Sequence, residues 1–299
     1  MPYGELTQGE QTGVSTLSTT ETERPQAPYA LGHTPEEYER LRMQARVWDR
    51  ATGRLLDEIG LGPGASCLDA GCGPGETMRA MAERVGPAGR VLGLDADPAI
   101  GAMTLRMLHD AGHRQCTFHA CDITAAEPIP GAPFDLVYAR LLLFHLTERA
   151  DVLARLWDAV APGGHLLVQD YDIRGVNTAP ELDWIHDVTR VITGAFGAAG
   201  ADVTTGARLP QLFAQAGVGT PDGTDVAGRI EPLATGRILI EGVLRSLLPT
   251  ALAHGVTTEA DAAAMLALID RDVTRFPDRS LVWPLMIGAW KRKDRARPR

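Results

Sequence analysis

The sequence predicts an α/β fold, a doubly wound and mostly parallel sheet, and three observations carry that prediction. Short apolar runs alternate with amphipathic stretches from residue 65 onward, a glycine-rich turn follows the first run, and acidic residues close the first three. A strand buried on both faces reads as a continuous apolar run. Strand-helix alternation at this spacing produces a parallel sheet covered by helices on both sides.

Residues 1–27 are rich in Thr, Ser, Gln, Glu and Gly and poor in bulky apolar side chains, so a flexible arm is expected. A helix should open at Thr34-Pro35, where Thr is a good N-cap, Pro fits the first turn, and Glu36 and Glu37 complement the helix dipole. It should run to Ile59 and stop at Gly60, making residues 28–62 a helical cover. Residues 63–180 should form the ligand-binding core. Its strands are Ser66 to Ala70, Arg90 to Leu94, Cys116 to Ala120, Leu136 to Tyr138 and His165 to Gln169. Its helices are Thr77 to Val85, Ile100 to Ala111 and Arg149 to Val160, and Ala161-Pro162-Gly163-Gly164 turns the chain into the next strand. Over 181–280 the pattern becomes helical, around Leu182 to Phe196, Leu209 to Ala216, Ile238 to Leu248 and Thr258 to Phe276. A last strand within 281–290, Leu281 to Ala289, should return to the sheet edge, leaving 291–299 as a solvated basic tail.

Hydrophobic content of 44% with 22% charge describes an ordinary globular chain, and a formal net charge of -9 gives no global attraction to a phosphate backbone. Nucleic acid is therefore not an expected partner. Neither a leader sequence nor a run of about twenty apolar residues occurs, so no membrane association and a cytoplasmic location are expected. Cys67, Cys72, Cys116 and Cys121 show no CxxC or Cys/His spacing and are expected to be reduced thiols, with no metal site. Lysine occurs only at 291 and 293, and Ala and Gly are abundant, a bias that suggests a GC-rich bacterial coding sequence.

The chemistry lies in Cys67-Leu68-Asp69-Ala70-Gly71-Cys72-Gly73-Pro74-Gly75, a strand ending in an acid, then a glycine-rich turn, then a helix. Glycines there let backbone approach a ligand closely. A dinucleotide site would read G-x-G-x-x-G and set pyrophosphate on the helix N-terminus, where Asp69 would repel it. Asp69 suits instead a cationic ammonium such as that of S-adenosylmethionine (SAM). Asp95 ends the second strand where a ribose would lie, its carboxylate able to accept from both hydroxyls, with Ala96 beside it. Asp97 should cap the helix that opens at Pro98. After the third strand, Asp122 can accept from an adenine amino group while Ile123 packs on the ring.

These motifs resemble the class I SAM-dependent methyltransferases, in particular the ubiquinone/menaquinone-biosynthesis-like branch, over residues 29 to about 172. Asp69 to Gly75 matches the family's first motif, Asp95 its ribose acid and Asp122 its adenine site. Phe134-Asp135-Leu136-Val137 matches its fourth-strand motif and Pro162-Gly163-Gly164 its turn before strand five. The resemblance implies a Rossmann-like sheet of seven strands with a reversed last strand, and SAM as cofactor. Tyr29-Ala30-Leu31-Gly32-His33 with Glu39-Arg40-Leu41 and Gln44 is similar to a natural-product subgroup, which implies a helix over the cofactor with Tyr29, and Arg40 or Gln44, near its methionine end.

Arg140, just past the fourth strand, should face cofactor or substrate. His145, in Leu143-Phe144-His145-Leu146, is the leading candidate for a general base because it follows the fourth strand at the ligand edge and could titrate near neutrality; Tyr171 is second. Asp170 and Asp172 have metal-ligating chemistry without an accompanying ligand set. The helical region 181–280 is expected to cap the substrate, and its apolar content favours a small apolar or aromatic acceptor, in keeping with secondary metabolism. Trp184, Phe213, Leu244 and Trp283 are its large apolar candidates, and oligomeric state is left open. Two readings compete: an NAD(P)-dependent oxidoreductase sharing the sheet and the ribose acid, and a SAM-binding protein that catalyses a rearrangement without methyl transfer.

Overall fold

A computed structural model describes residues 35–125 and 127–295. The arm at 1–27, Tyr29, the Thr34 cap and the last four residues of the tail lie outside the described residues. The chain opens with α1 (Pro35–Val47) and α2 (Asp49–Glu58), where sequence reading expects one helix. The break falls at Trp48, whose indole is 2% exposed and donates from Nε1 to the Tyr171 hydroxyl at 2.7 Å. Burying the indole there requires the turn.

The core follows as β1 (Ser66–Ala70), α3 (Glu76–Val85), β2 (Arg90–Asp95), α4 (Pro98–Asp110), β3 (Cys116–Ala120), β4 (Phe134–Arg140), α5 (Arg149–Asp158) and β5 (Val160–Asp172). Asp97 caps α4 as expected, accepting from the amides of Ala99 and Ile100, with Pro98 in the first turn. The Ala161 to Gly164 turn is absorbed into β5, opposite a bulge between Phe134 and Leu136 of β4. Glycine is required at 164, since a Cβ there would lie 2.7 Å from the Asp135 carbonyl oxygen.

The remainder comprises β6 (Asn177–Ala179), α6 (Trp184–Ala198), α7 (Thr205–Gln215), β7 (Gly223–Ala227), β8 (Ile230–Pro232), α8 (Leu233–Ala253), α9 (Glu259–Arg275), β9 (Ser280–Val282) and β10 (Leu285–Arg292). Seven strands form the main sheet in the order β3-β2-β1-β4-β5-β10-β7, with β10 antiparallel to both its neighbours. The reversed last strand is thus present, but the expected single strand over 281–290 is corrected in two ways. Residues Ser280–Val282 belong to a separate three-stranded sheet, β6-β9-β8, and β10 lies inside the main sheet, with β7 outside it. The basic tail is corrected as well: Lys291 and Arg292 are in β10, Lys291 pairs with Asp222 at 2.9 Å, and Lys293 donates to the carbonyls of Trp157 and Val160.

Three apolar cores hold the fold. One face of the main sheet packs Leu56 of α2, Met78 and Met81 of α3, and Leu108 of α4 on Cys67, Leu136 and Leu167. The opposite face packs Leu153 and Leu156 of α5 and Leu209 and Phe213 of α7 on Leu68, Val137 and Val168. The third core joins α6, α8 and α9 to Trp48, Tyr171 and Trp283 above the C-terminal ends of the strands. None of the helices is long and apolar enough to cross a membrane, among the described residues.

Candidate functional site

The parallel strands end together beneath the helical region, and there a cavity of about 1540 Å³ opens. Asp69, Gly71, Gly73, Asp95, Ala96, Asp122, Ile123, Arg140 and His145 all line it. Every sequence-predicted site residue except Tyr29, which lies outside the described residues, is therefore brought to one wall.

The glycine-rich turn is built as its residues require. Gly71, Gly73 and Gly75 have φ of 68°, 46° and 78°, the left-handed region that side chains avoid. At Gly75 a Cβ would also lie 2.3 Å from the Thr104 methyl, so α3 and α4 can approach only over a glycine. Around Gly73 the space within 4 Å of such a Cβ is open, so the backbone faces the cavity bare.

Asp69 is 2% exposed, and its Oδ2 has no hydrogen-bond partner among the described residues. Burial pushes its carboxyl up to about 7, with Arg140 acting in the opposite direction. An orphaned carboxylate oxygen on a cavity wall is costly unless a ligand completes it. Asp95 is anchored differently: Oδ2 accepts from the Gly73 amide at 2.9 Å and Oδ1 from the Asp97 amide at 3.0 Å. The ribose-acid candidate thus also holds the glycine turn in shape. Asp122 accepts from the Thr124 amide and hydroxyl, and Ile123 is buried beside it.

Arg140 donates to the Thr52 hydroxyl at 3.0 Å, and Thr52 donates in turn to Gln169 Oε1 at 2.8 Å, where Tyr138 also donates. This buried chain fixes the guanidinium near Asp69. The next residue, Leu141, has φ of 56°, the single non-glycine residue in the left-handed region among the described residues. That conformation turns the chain from β4 into a short 3-10 segment, Leu143–His145. Asp170, fully buried at the end of β5, accepts from the Phe144 amide at 3.0 Å and so fixes the same segment. Burial raises the Asp170 carboxyl to about 7. Asp172 is paired with Arg174, so the two carboxylates hold protein groups, and no cluster of three or more metal-ligating side chains occurs among the described residues.

His145 requires a correction. Burial in the cavity wall, reinforced by the nearby Arg40 and Arg149 charges, pushes it down to about 3, so the imidazole is neutral at physiological pH rather than titrating near neutrality. Its ring lies against Phe144, centroids 3.7 Å apart.

Sequence reasoning underuses the opposite wall, made by Ile173, Val176, Ile192, Phe196, Leu239 and Val243. Of the four large apolar candidates, Trp283 alone borders the cavity; Trp184, Phe213 and Leu244 are buried in the cores. Tyr38 of α1 also reaches the cavity, donating to Asp97 at 2.6 Å. Helical periodicity marks such residues as inward-facing but does not separate core from cavity.

Residues 67–164 match the family model described as a methyltransferase domain. They are a class I SAM-dependent methyltransferase domain. The chain is 33% identical over 159 residues to methyltransferase str3 of Strobilurus tenacellus, covering 52% of this chain and 54% of the relative. It is 32% identical over 139 residues to the ubiquinone/menaquinone biosynthesis C-methyltransferase UbiE of Bordetella parapertussis, covering 46% and 52%. The fold is similar to that of a proposed methyltransferase of Bacillus halodurans C-125, with a TM-score of 0.56 and 15% identity over 81% of this chain and 98% of that one. The chain spans about half the length of the curated relatives it matches. The methyltransferase domain covers β1 to the start of β5, so it contains Asp69, Asp95, Asp122 and His145 and leaves the apolar wall outside.

Proposed function

We propose that the protein is a SAM-dependent methyltransferase acting on a small, apolar or aromatic metabolite, with a role in secondary metabolism. The observation that carries this reading is the Asp69 carboxylate oxygen, without a partner among the described residues, in a cavity that is also lined by many apolar side chains. A single drug-sized ligand occupies about 300–1,000 Å³. The roughly 1540 Å³ here suits a cofactor and an acceptor side by side.

The residues present fit SAM. Asp69 would receive its ammonium, Asp95 its ribose hydroxyls, and Asp122 with Ile123 its adenine, while bare backbone at Gly73 permits close approach. When bound, SAM would supply an electrophilic methyl group on a sulfonium, able to pass to an acceptor's electron pair with S-adenosylhomocysteine as the leaving group. The chain's contribution is alignment and water exclusion: Arg140 is fixed through Thr52 and Gln169, and the 3-10 segment is fixed through Asp170. An imidazole held near 3 accepts protons poorly at neutral pH, so His145 serves as a neutral wall and orienting group. An oxidoreductase reading fares worse, since Asp69 would face a diphosphate.

The test is incubation with methyl-labelled SAM and a panel of apolar acceptors. Labelled product and stoichiometric S-adenosylhomocysteine support methyl transfer. Tight SAM binding with an altered but unlabelled product would support a rearrangement, and absence of SAM binding would remove both readings.

A further inference from the structure

Tyr171 lies at the end of β5, 8% exposed, and lines the cavity. Two groups reach its oxygen: Trp48 Nε1 at 2.7 Å and Gln44 Nε2 at 3.1 Å. An indole N–H can only donate. The amide of Gln44 is oriented by Arg40, which also can only donate and whose Nη1 lies 2.6 Å from Gln44 Oε1. Gln44 therefore presents its NH₂ to Tyr171. Both hydroxyl lone pairs are used in accepting, and the O–H hydrogen has no acceptor among the described residues.

A second donor is unspent nearby. Trp283 is 6% exposed, lines the same cavity, and its Nε1 has no hydrogen-bond partner among the described residues. It lies between β9 and β10, two residues before Leu285, which pairs with Asp172 of β5. Both donors thus line the same cavity and belong to the same apolar core. β1 and β5 are separated by β4, so Tyr171 stands roughly 10 Å from the glycine turn at ordinary strand spacing, on the acceptor's side. The carboxylates lining the cavity are Asp69, Asp95, Asp97, Asp122 and Glu148, and none comes from β5, β10, α6 or α8.

We propose that Tyr171 and Trp283 donate hydrogen bonds to an oxygen of the methyl acceptor, which is therefore an apolar molecule carrying an electron-rich oxygen, such as a carboxylate, phenol or ketone, and not an amine. The inference rests on the methyltransferase reading for the identity of the ligand. The Arg40–Gln44–Tyr171 chain polarises the hydroxyl and strengthens it as a donor. Tyr171 is accordingly a donor and not a base; burial also pushes its phenol up to about 12.

The experiment measures binding of 2-naphthoate, 2-naphthol, 2-naphthylmethylammonium and naphthalene to the full chain saturated with S-adenosylhomocysteine. Naphthoate should bind about tenfold or more tighter than the ammonium probe, in line with a charge-assisted hydrogen bond. Tyr171→Phe and Trp283→Phe should each lower naphthoate affinity by roughly tenfold, leave naphthalene affinity nearly unchanged, and keep S-adenosylhomocysteine affinity within about twofold. If Tyr171→Phe does not fold, Trp283→Phe and the wild-type ranking decide. Equal binding of ammonium and carboxylate, an unchanged naphthoate-to-naphthalene ratio in the folded variants, or no naphthoate binding at about 1 mM would overturn the proposal. Failure of S-adenosylhomocysteine itself to bind would instead sink the methyltransferase reading.

Discussion

Asp69 couples function to stability, and Asp69→Asn measures that coupling. In the ligand-free protein burial raises the carboxyl from its ordinary 3.8 to about 7, a shift of roughly three units, or about 4 kcal/mol at about 1.36 kcal/mol per unit. The sign follows from proton counting. Between pH 3.8 and 7 the folded chain holds a proton that the unfolded chain has released, so stability falls as pH rises through that window and is lowest above it. Asn cannot ionise, so Asp69→Asn should raise the melting temperature of the cofactor-free protein by several degrees at pH 8 and by less than half as much at pH 5. Asp170 titrates in the same range and is common to both proteins, so the difference isolates Asp69. A bound ammonium would return Asp69 toward its ordinary range, so wild-type SAM affinity should climb by up to about tenfold per unit between pH 5.5 and 7, with proton release, and the variant should lose that dependence. Differential scanning calorimetry and titration calorimetry in buffers of differing ionisation enthalpy read both effects. Equal stabilisation of Asp69→Asn at pH 5 and 8, or a wild-type SAM affinity flat across that range, would refute the reasoning.

Asp95→Ala should weaken SAM binding by about 10²-fold by titration calorimetry and lower the melting temperature, because the amides of Gly73 and Asp97 lose their acceptor with it. Gly75→Ala should cost roughly 2–4 kcal/mol in denaturant unfolding, since a left-handed φ of 78° and a 2.3 Å approach to the Thr104 methyl both oppose it; adding Thr104→Ser should recover part of the loss. His145→Gln should leave the pH profile of methyl transfer without a lost inflection near 6.5, because the native imidazole is already neutral there; an inflection present in wild type and absent in the variant would restore the base assignment.

How much of this was legible depended on where the signal is local. β3, an edge strand with only Cys116 buried, and β1 both have the bounds expected of them; a strand buried on both faces inside a parallel sheet, as β1 is, leaves a nearly unbroken apolar run. The glycine turn and Asp69, Asp95 and Asp122 stand at strand ends for the same reason. β7 left no such signal: as an edge strand it alternates Gly223-Thr224-Asp225-Val226-Ala227, with Val226 60% exposed. The last strand was misplaced because Leu281 to Ala289 is one apolar run, and only Pro284, between β9 and β10, marks its division into two sheets. His145 was misjudged for a different reason. Its basicity is lowered first by burial in a cavity wall that only tertiary structure closes, and then by Arg40, more than a hundred positions away in the chain.

The alternation of β5 explains how one strand serves the whole site. Gln169 and Tyr171 point to the face covered by the N-terminal helices, where Gln169 meets Thr52 and Tyr171 meets Trp48 and Gln44. Asp170 points to the other face and fixes the Phe144 amide, beside α7, where a Cβ at Gly206 would lie 2.4 Å from the Asp170 carbonyl oxygen, so only glycine lets the helix pack there. A one-residue slip of β5 would exchange these sets, sending the Tyr171 hydroxyl into an apolar core and the Asp170 carboxyl away from its amide. Register is therefore tied to polar satisfaction on both faces at once. The cover helices are tied to it too: Trp48 breaks the N-terminal helix in order to reach Tyr171, so the same hydrogen bond that leaves that hydroxyl's proton for a ligand also fixes where the cover sits above the cavity.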